Sequence, residues 1–250
     1  TLVSVMLANN ETGSIQPVAE LARVAHAHGV PIHTDAAQGP GKIPVDVGEL
    51  DVDMLTVVGH KMYAPKGVGA LYIRPGLTVE PVIYGGGQEG GLRSGTENVA
   101  YAVALGAAAD LARADLEAGS MKRLTELRDR LHDAIADALP GAVHLNGHPD
   151  RRLPNTVNLS ITGIPGDALL ADVSEIAAST GSACHTGATD PSPVLSAMGF
   201  DRDRALGALR LSLGRWTTRT DVDRAAAALI NAASSWSNAA LTPLAARARE

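Results

Sequence analysis

The chain has 250 residues and a formal net charge of −6, and it is 45% hydrophobic and 19% charged, the balance of a folded globular protein with room for one large or two modest domains. An acidic balance argues against a nucleic-acid partner, which needs a basic face, and a single cysteine, Cys184, excludes an internal disulfide framework. The longest apolar stretch, around Ala225–Ala233, is interrupted by Asn231 and is too short to span a bilayer, so no membrane partner and a reducing cytoplasm are expected.

In chain order, residues 2–8 read as a buried strand that begins without an initiator Met, so the chain reads as a fragment. Val18–His28 follows with Val18, Leu21, Ala22 and Ala25 at helical spacing and Gly29 as a C-terminal stop. Pro31–Thr34, Asp53–Val58 and Ala70–Arg74 read as strands. Strands alternating with a helix predict α/β layering on a mainly parallel sheet. Asn98–Leu116 and Ser120–Leu139 are predicted helices, the second stopped by Pro140, and residues 141–154 are a predicted loop rich in Gly, Pro and Asn. Beyond it, strands at Thr156–Ile161 and Ala208–Leu213 and helices at Asp167–Glu175 and Thr220–Ser234 predict a small α+β domain. The expected division is 1–112 for the large domain, 113–236 for the small C-terminal domain, and a weakly ordered tail over 237–250.

Several residues carry chemistry. Lys61, in Gly59-His60-Lys61 after a strand end, is either an exposed turn lysine or a Schiff-base lysine, whose amine becomes nucleophilic when desolvated. Asp35, in His33-Thr34-Asp35-Ala36-Ala37-Gln38, is either a helix cap or a ligand at the carboxyl edge of an open sheet. A pyridoxal-phosphate (PLP) enzyme needs a carboxylate at that edge to keep the pyridine nitrogen protonated, and Gln38 lies three residues on, within reach of the ring's 3-oxygen. Asn9-Asn10-Glu11-Thr12-Gly13 reads as a turn. Gly85-Gly86-Gly87 leads to Arg93-Ser94-Gly95-Thr96 ahead of a helix, a place that suits an anion. Cys184 lies in Gly181-Ser182-Ala183-Cys184-His185, where small neighbours suggest an exposed loop and His185 a route to the thiolate; no second cysteine supports a metal site. Arg210 sits inside the apolar strand Leu209–Leu213 and needs an anionic partner, structural or substrate.

Six motifs in this order, Asn9–Gly13, His33–Gln38, Gly59–Lys61, Arg93–Thr96, Gly181–Cys184 and Arg210–Arg215, resemble those of the cysteine desulfurases, class V aminotransferases of the fold-type I PLP group. The resemblance covers Leu2 to about Ala233. It implies a PLP-dependent transferase fold, a partial large domain followed by a small α+β domain. It implies Lys61 as Schiff-base lysine and proton shuttle, Asp35 as pyridinium partner, Gln38 at the 3-oxygen and His60 on the phosphate side. It further implies that Thr96 reaches the partner subunit's PLP in a homodimer, that Asn10 and Arg210 hold the substrate carboxylate, and that Cys184 is the nucleophile. The implied reaction converts L-cysteine to L-alanine, leaving a persulfide on Cys184 for a sulfur-acceptor protein such as an iron–sulfur scaffold.

Val58 departs from the family, which has a small hydroxyl residue there. At Val58, in Met6–Gly13, in Ala183-Cys184-His185 and in Pro191–Leu195, the chain is similar to selenocysteine lyases, so L-selenocysteine is an alternative substrate. Another class V aminotransferase activity and a catalytically incomplete fragment are the further alternatives. The family carries additional residues before Thr1, including a PLP-stacking histidine, so the isolated chain is expected to bind PLP weakly and turn over poorly.

Overall fold

The computed structural model describes residues 1–181 and 190–241, with side chains described as far as 236. The chain divides into two units: Thr1–Asn9 with Ile15–Ser120, and Asn10–Ser14 with the chain from Met121 onward.

The first unit is built on a four-stranded sheet, β1 (Val3–Met6), β2 (Ile32–Asp35), β3 (Met54–Val58) and β4 (Gly69–Ile73), in that spatial order. β1, β2 and β3 run parallel and β4 returns antiparallel against β3. The mainly parallel α/β arrangement expected from the sequence is therefore present. Helix α1 (Val18–Ala27) connects β1 to β2 and buries Val18, Ala22 and Ala25, one stripe at helical spacing. They pack into a core with Leu7, Ile32, Ala36, Val52 and Leu55. Gly29, at φ +65°, ends the helix with its N–H on the His26 carbonyl. The short α2 (Val47–Leu50) starts where the Asp46 carboxylate accepts from the Gly48 and Glu49 N–H groups. Helix α3 (Val99–Glu117) is capped by Asn98, which accepts from the Tyr101 N–H. It runs unbroken through residues 112 and 113, and the first unit ends at Ser120.

The second unit holds α4 (Ser120–Ala138) and an antiparallel sheet, β5 (Val143–Asn146), β6 (Thr156–Ile161) and β7 (Ala208–Ser212), with β6 central. Helices α5 (Gly166–Ala171), α6 (Pro193–Ala197), α7 (Arg202–Leu206) and α8 (Arg219–Leu241) complete it. Every residue of β6 is buried, yet its two faces differ as period-two alternation requires. Val157, Leu159 and Ile161 join Leu124, Leu127, Leu131 and Ile135 of α4 and Val222, Ala226, Leu229 and Ala233 of α8 in one apolar core. Each such large side chain contributes about 1.5–3 kcal/mol of burial. Thr156, Asn158 and Ser160 form the opposite, polar face. Buried polar groups need partners, and these have them: Asn146 Nδ2 donates to Asn158 Oδ1 and Ser160 Oγ, each at 2.8 Å.

One expectation is corrected. The predicted loop over 141–154 contains β5, a four-residue edge strand that pairs Val143–Asn146 with Ile161–Asn158. Its turn-forming residues lie at the flanks of that strand. The tail expected from 237 begins as helix: α8 continues to Leu241, consistent with the helix-favouring Ala239, Ala240 and Leu241.

Candidate active site

In the first unit, two candidate residues leave the same sheet edge. Asp35 ends β2 in register with Met6 of β1 and Thr56 of β3. Its carbonyl accepts the Leu7 N–H at 2.8 Å, and its Oδ1 accepts the Ala37 N–H at 2.8 Å. The carboxylate is thus fixed in direction and exposed to solvent. Gln38 is half-buried in the turn that follows. Behind Asp35, His33 bridges Ser4 Oγ at 2.8 Å and Thr56 Oγ1 at 2.9 Å, tying the three parallel strands together by their side chains.

β3 runs parallel to β2, so the turn after Val58 emerges beside Asp35 at the carboxyl edge. Gly59–Met62 is a single 3-10 turn closed by Tyr63 at φ 67°. The Gly59 N–H bonds the Val68 carbonyl at 2.9 Å, and a Cβ at Gly59 would lie 2.8 Å from that oxygen, so only glycine fits. Met62 is buried and anchors the turn, while His60 and Lys61 project into solvent. Lys42 Nζ donates to the Lys61 carbonyl at 3.3 Å. Desolvation, helped by the charge of Lys61, pushes the Lys42 ammonium down to about 8. Sequence reasoning assigned Lys42 no role, and its Gly41-Lys42-Ile43-Pro44 setting gives no signal of one.

Thr96 is exposed just before α3. The preceding turn is held by Ser94, whose Oγ donates to the Tyr84 carbonyl at 3.0 Å, and by the Gly95 N–H on Gln88 Oε1 at 3.2 Å.

In the second unit, residues 10–14 lie on the polar face of the three-stranded sheet. Asn158 Nδ2 donates to the Glu11 carbonyl at 3.3 Å, Arg152 to the Thr12 carbonyl at 2.8 Å, and the Leu153 N–H to the Gly13 carbonyl at 2.8 Å. Gly13, at φ +78°, passes so close to the Thr156 carbonyl that a Cβ would meet it at 3.2 Å. Burial, with the charge of Arg128 adding to it, pushes the Arg152 guanidinium down to about 10. Arg210 stands opposite Asn158 across β6 and β7. Asn158 thus connects the two residues singled out for a substrate carboxylate: it pairs with Arg210 and bonds the carbonyl next to Asn10. The Arg210 Nε is buried without a hydrogen-bond partner among the described residues, as are the Nε atoms of Arg74 and Arg152. Cys184 and His185 lie outside the described residues. Among the described residues no group of three or more His, Cys, Asp or Glu is placed to hold a metal ion, and no helix is long and apolar enough to cross a membrane.

A parallel strand edge that presents an aimed carboxylate next to a lysine-bearing turn is the ligand edge of an open α/β sheet. The fold is that of the fold-type I PLP-dependent transferases: a solved NifS-like protein superposes with a TM-score of 0.83 at 37% identity, over 93% of this chain and 61% of that one. The chain belongs to the aminotransferase class-V family, whose family model matches residues 1–225. Its relatives include the cysteine desulfurase IscS of Methanosarcina thermophila, 47% identical over 89% of this chain and 55% of that protein. The human cysteine desulfurase is 45% identical over 89% of this chain and 49% of that protein. The chain therefore spans about half the length of the curated relatives it matches.

Proposed function

We propose that this chain carries the PLP-dependent chemistry of a cysteine desulfurase, converting L-cysteine to L-alanine and leaving a persulfide on Cys184. The observation that carries the reading is the pairing of β2 with β3, which delivers Asp35 and the Gly59–Met62 turn to one carboxyl edge. The relatives' names support the substrate, and the place of Arg210 opposite Asn158, which bonds the carbonyl next to Asn10, supports a carboxylate held by Asn10 and Arg210.

The residues fit PLP. Asp35 holds one carboxylate oxygen against the Ala37 N–H, and its exposed carboxylate suits a protonated ring nitrogen. Gln38 would meet the ring's 3-oxygen, His60 the phosphate side, and Thr96 of one subunit would serve the other in a homodimer. PLP supplies the electron sink that acidifies the substrate α-carbon and allows the carbon–sulfur bond to break.

The chain's own residues do the rest. Asn10 and Arg210 hold the substrate carboxylate, the guanidinium by two parallel N–H bonds. Lys61 Nζ would hold PLP, and as a free amine it would accept and return the substrate α-proton. The Cys184 thiolate attacks the substrate sulfur; the new S–S bond forms as the C–S bond breaks, and its electron pair stays with carbon, which takes a proton as alanine leaves. The persulfide then passes to an acceptor protein, in this reading a cytoplasmic iron–sulfur scaffold.

The test is an absorbance spectrum with added PLP, paired with alanine release from L-cysteine. A visible band that disappears in Lys61→Ala, with alanine release lost in Cys184→Ser, is the expected result. An unchanged band in Lys61→Ala would overturn the cofactor assignment, and alanine release that survives Cys184→Ser would overturn the nucleophile. Val58, which has no hydroxyl for a phosphate, favours a second reading as a selenocysteine lyase. Faster turnover of L-selenocysteine than of L-cysteine in the Cys184→Ser variant would select it.

A further inference from the structure

Glu11 is an acid in a segment otherwise made of Asn, Thr and Gly, and it is only 3% exposed. Its Oε2 accepts from Ser192 Oγ at 2.5 Å, across 181 residues of sequence. The same carboxylate oxygen lies 3.3 Å from the position a Gly181 Cβ would take, and that position is 3.8 Å from Ser192 Cβ. Gly181 and Ser192 flank the stretch that contains Cys184. One flank is therefore bonded to this buried carboxylate through Ser192, and the other passes close beside it at Gly181.

Each flank is also fixed from its outer side. Ser192 Oγ accepts from the Val194 and Leu195 N–H groups, capping α6, and Leu195 is fully buried. On the other flank, Ser179 Oγ donates to the Gly181 carbonyl at 2.9 Å and accepts the Gly181 N–H at 3.2 Å. Ser179 and Arg210 exchange backbone hydrogen bonds in both directions. One flank is thus bonded to the strand position of Arg210, and the other to the residue that follows Asn10.

We propose that the Glu11 carboxylate is a positioning residue that holds the two flanks of the Cys184-bearing segment, fixing Gly181 and Ser192 against the two residues assigned to the substrate carboxylate. The inference rests on the desulfurase reading for its purpose, although the clamp itself is a matter of described contacts. Its physical basis is effective concentration. The rate at which a nucleophile meets a bound substrate depends on where the ends of its segment are held, and a small displacement of those ends is costly in rate. Closing the ends on one buried carboxylate sets that position without any contact between Glu11 and the reacting atoms.

Three variants in the PLP-loaded full chain separate the clamp from the fold. Ser192→Asp keeps an acceptor to cap α6 but sets a second carboxylate against Glu11. Glu11→Ala removes the acceptor, and Glu11→Gln keeps one. Two readouts are followed: the second-order rate of Cys184 alkylation by iodoacetamide, which needs no turnover, and the kcat and KM for L-cysteine. In Ser192→Asp and Glu11→Ala the alkylation rate is expected to change by about threefold or more, because access to the thiolate changes. In both, kcat is expected to fall by about ten- to a hundredfold with a much smaller change in KM and an unchanged PLP spectrum. Glu11→Gln stays close to the parent chain. Alkylation and kcat within about twofold of the parent in both disruptive variants would overturn the clamp. So would equal losses in Glu11→Gln and Glu11→Ala accompanied by loss of the PLP spectrum, which would make Glu11 a residue of the fold. Absence of cysteine turnover in a parent chain that shows the PLP band would instead sink the desulfurase reading, with the alkylation rates still deciding the clamp.

Discussion

Lys42 shows how a residue without an evident motif enters the chemistry of its neighbourhood. Its ammonium is directed at the carbonyl of Lys61, and desolvation together with the charge of Lys61 lowers it from 10.5 to about 8. A lysine lowered in the folded state holds fewer protons there than in the unfolded chain between those two values, so stability rises with pH across that window. The unfavourable contribution is complete below about 8 and disappears as pH rises toward 10.5. Replacing Lys42 by Met removes this dependence. The stability of Lys42→Met relative to the parent, measured by urea unfolding, should therefore decline as pH is raised from about 8 toward 10.5. A difference that stays constant with pH would show that Lys42 is as well solvated in the folded chain as in the unfolded one.

The sheet of the first unit is tied at the end opposite its ligand edge by charges from four separate elements. His26, in the last turn of α1, meets Asp53 at 2.9 Å and Asp51 at 3.3 Å; Arg74, just after β4, meets Asp51 at 2.7 Å and Asp53 at 3.0 Å. Asp53 also accepts the Ile32 N–H at 2.8 Å. The hydrogen bond to Asp53 raises His26 above 6.5, and the hydrogen bond from Arg74 holds Asp51 below its ordinary value. For Asp53, burial pulls upward most strongly, but the bonds from His26 and the Ile32 N–H and the charges of His26 and Arg74 together outweigh it and lower the carboxyl. The histidine's contribution is present below 6.5 and is lost as pH rises through its higher folded value; the carboxylates' contribution is present above 3.8 and is lost as pH falls through their lower folded values. His26→Gln should therefore destabilise most between those limits, by about 0.5–1 kcal/mol for pairs this exposed, and least once pH has risen past the histidine's raised folded value, as thermal melts across pH would read. Strong periodicity made the larger elements legible in sequence: the apolar stripe of α4, the alternation of β6, and the strands that carry Asp35 and Lys61. β5 was hidden because a four-residue edge strand between Gly- and Pro-rich flanks has too short a pattern to stand out, and α6 and α7 are five-residue turns of helix. The candidate site residues stand out in the sequence as motifs, but the Glu11–Ser192 contact does not, since no local pattern links residues 181 positions apart.

At the scale of the whole chain, the two units have different cores. That of the second gathers Leu124, Leu131, Ile135, Leu159, Leu209 and Leu229 among its fully or nearly buried side chains, whereas the first relies on smaller groups such as Val18, Ala22, Ala25 and Ala36 around Ile32 and Leu55. Less apolar area per side chain means a smaller reserve against conformational entropy, so the first unit should unfold at the lower temperature in calorimetry. Truncation in each core provides the assignment. Ile32→Ala should lower only the first transition and Leu229→Ala only the second, each by about 2–5 kcal/mol, because both side chains are wholly buried. Under the proposed function, in which PLP is held through Lys61 and Asp35 of the first unit, added PLP should raise the lower transition in proportion to the logarithm of its concentration and leave the upper one in place. Residues 10–14 belong to the second unit although the chain on either side of them belongs to the first. Asn10 and Glu11 are consequently predicted to remain protected from hydrogen exchange after the first transition, along with Arg152 and Asn158, which bond the carbonyls of Thr12 and Glu11. A single transition lowered equally by both truncations would instead make the chain one cooperative body, in which loss of either core releases every candidate site residue at once.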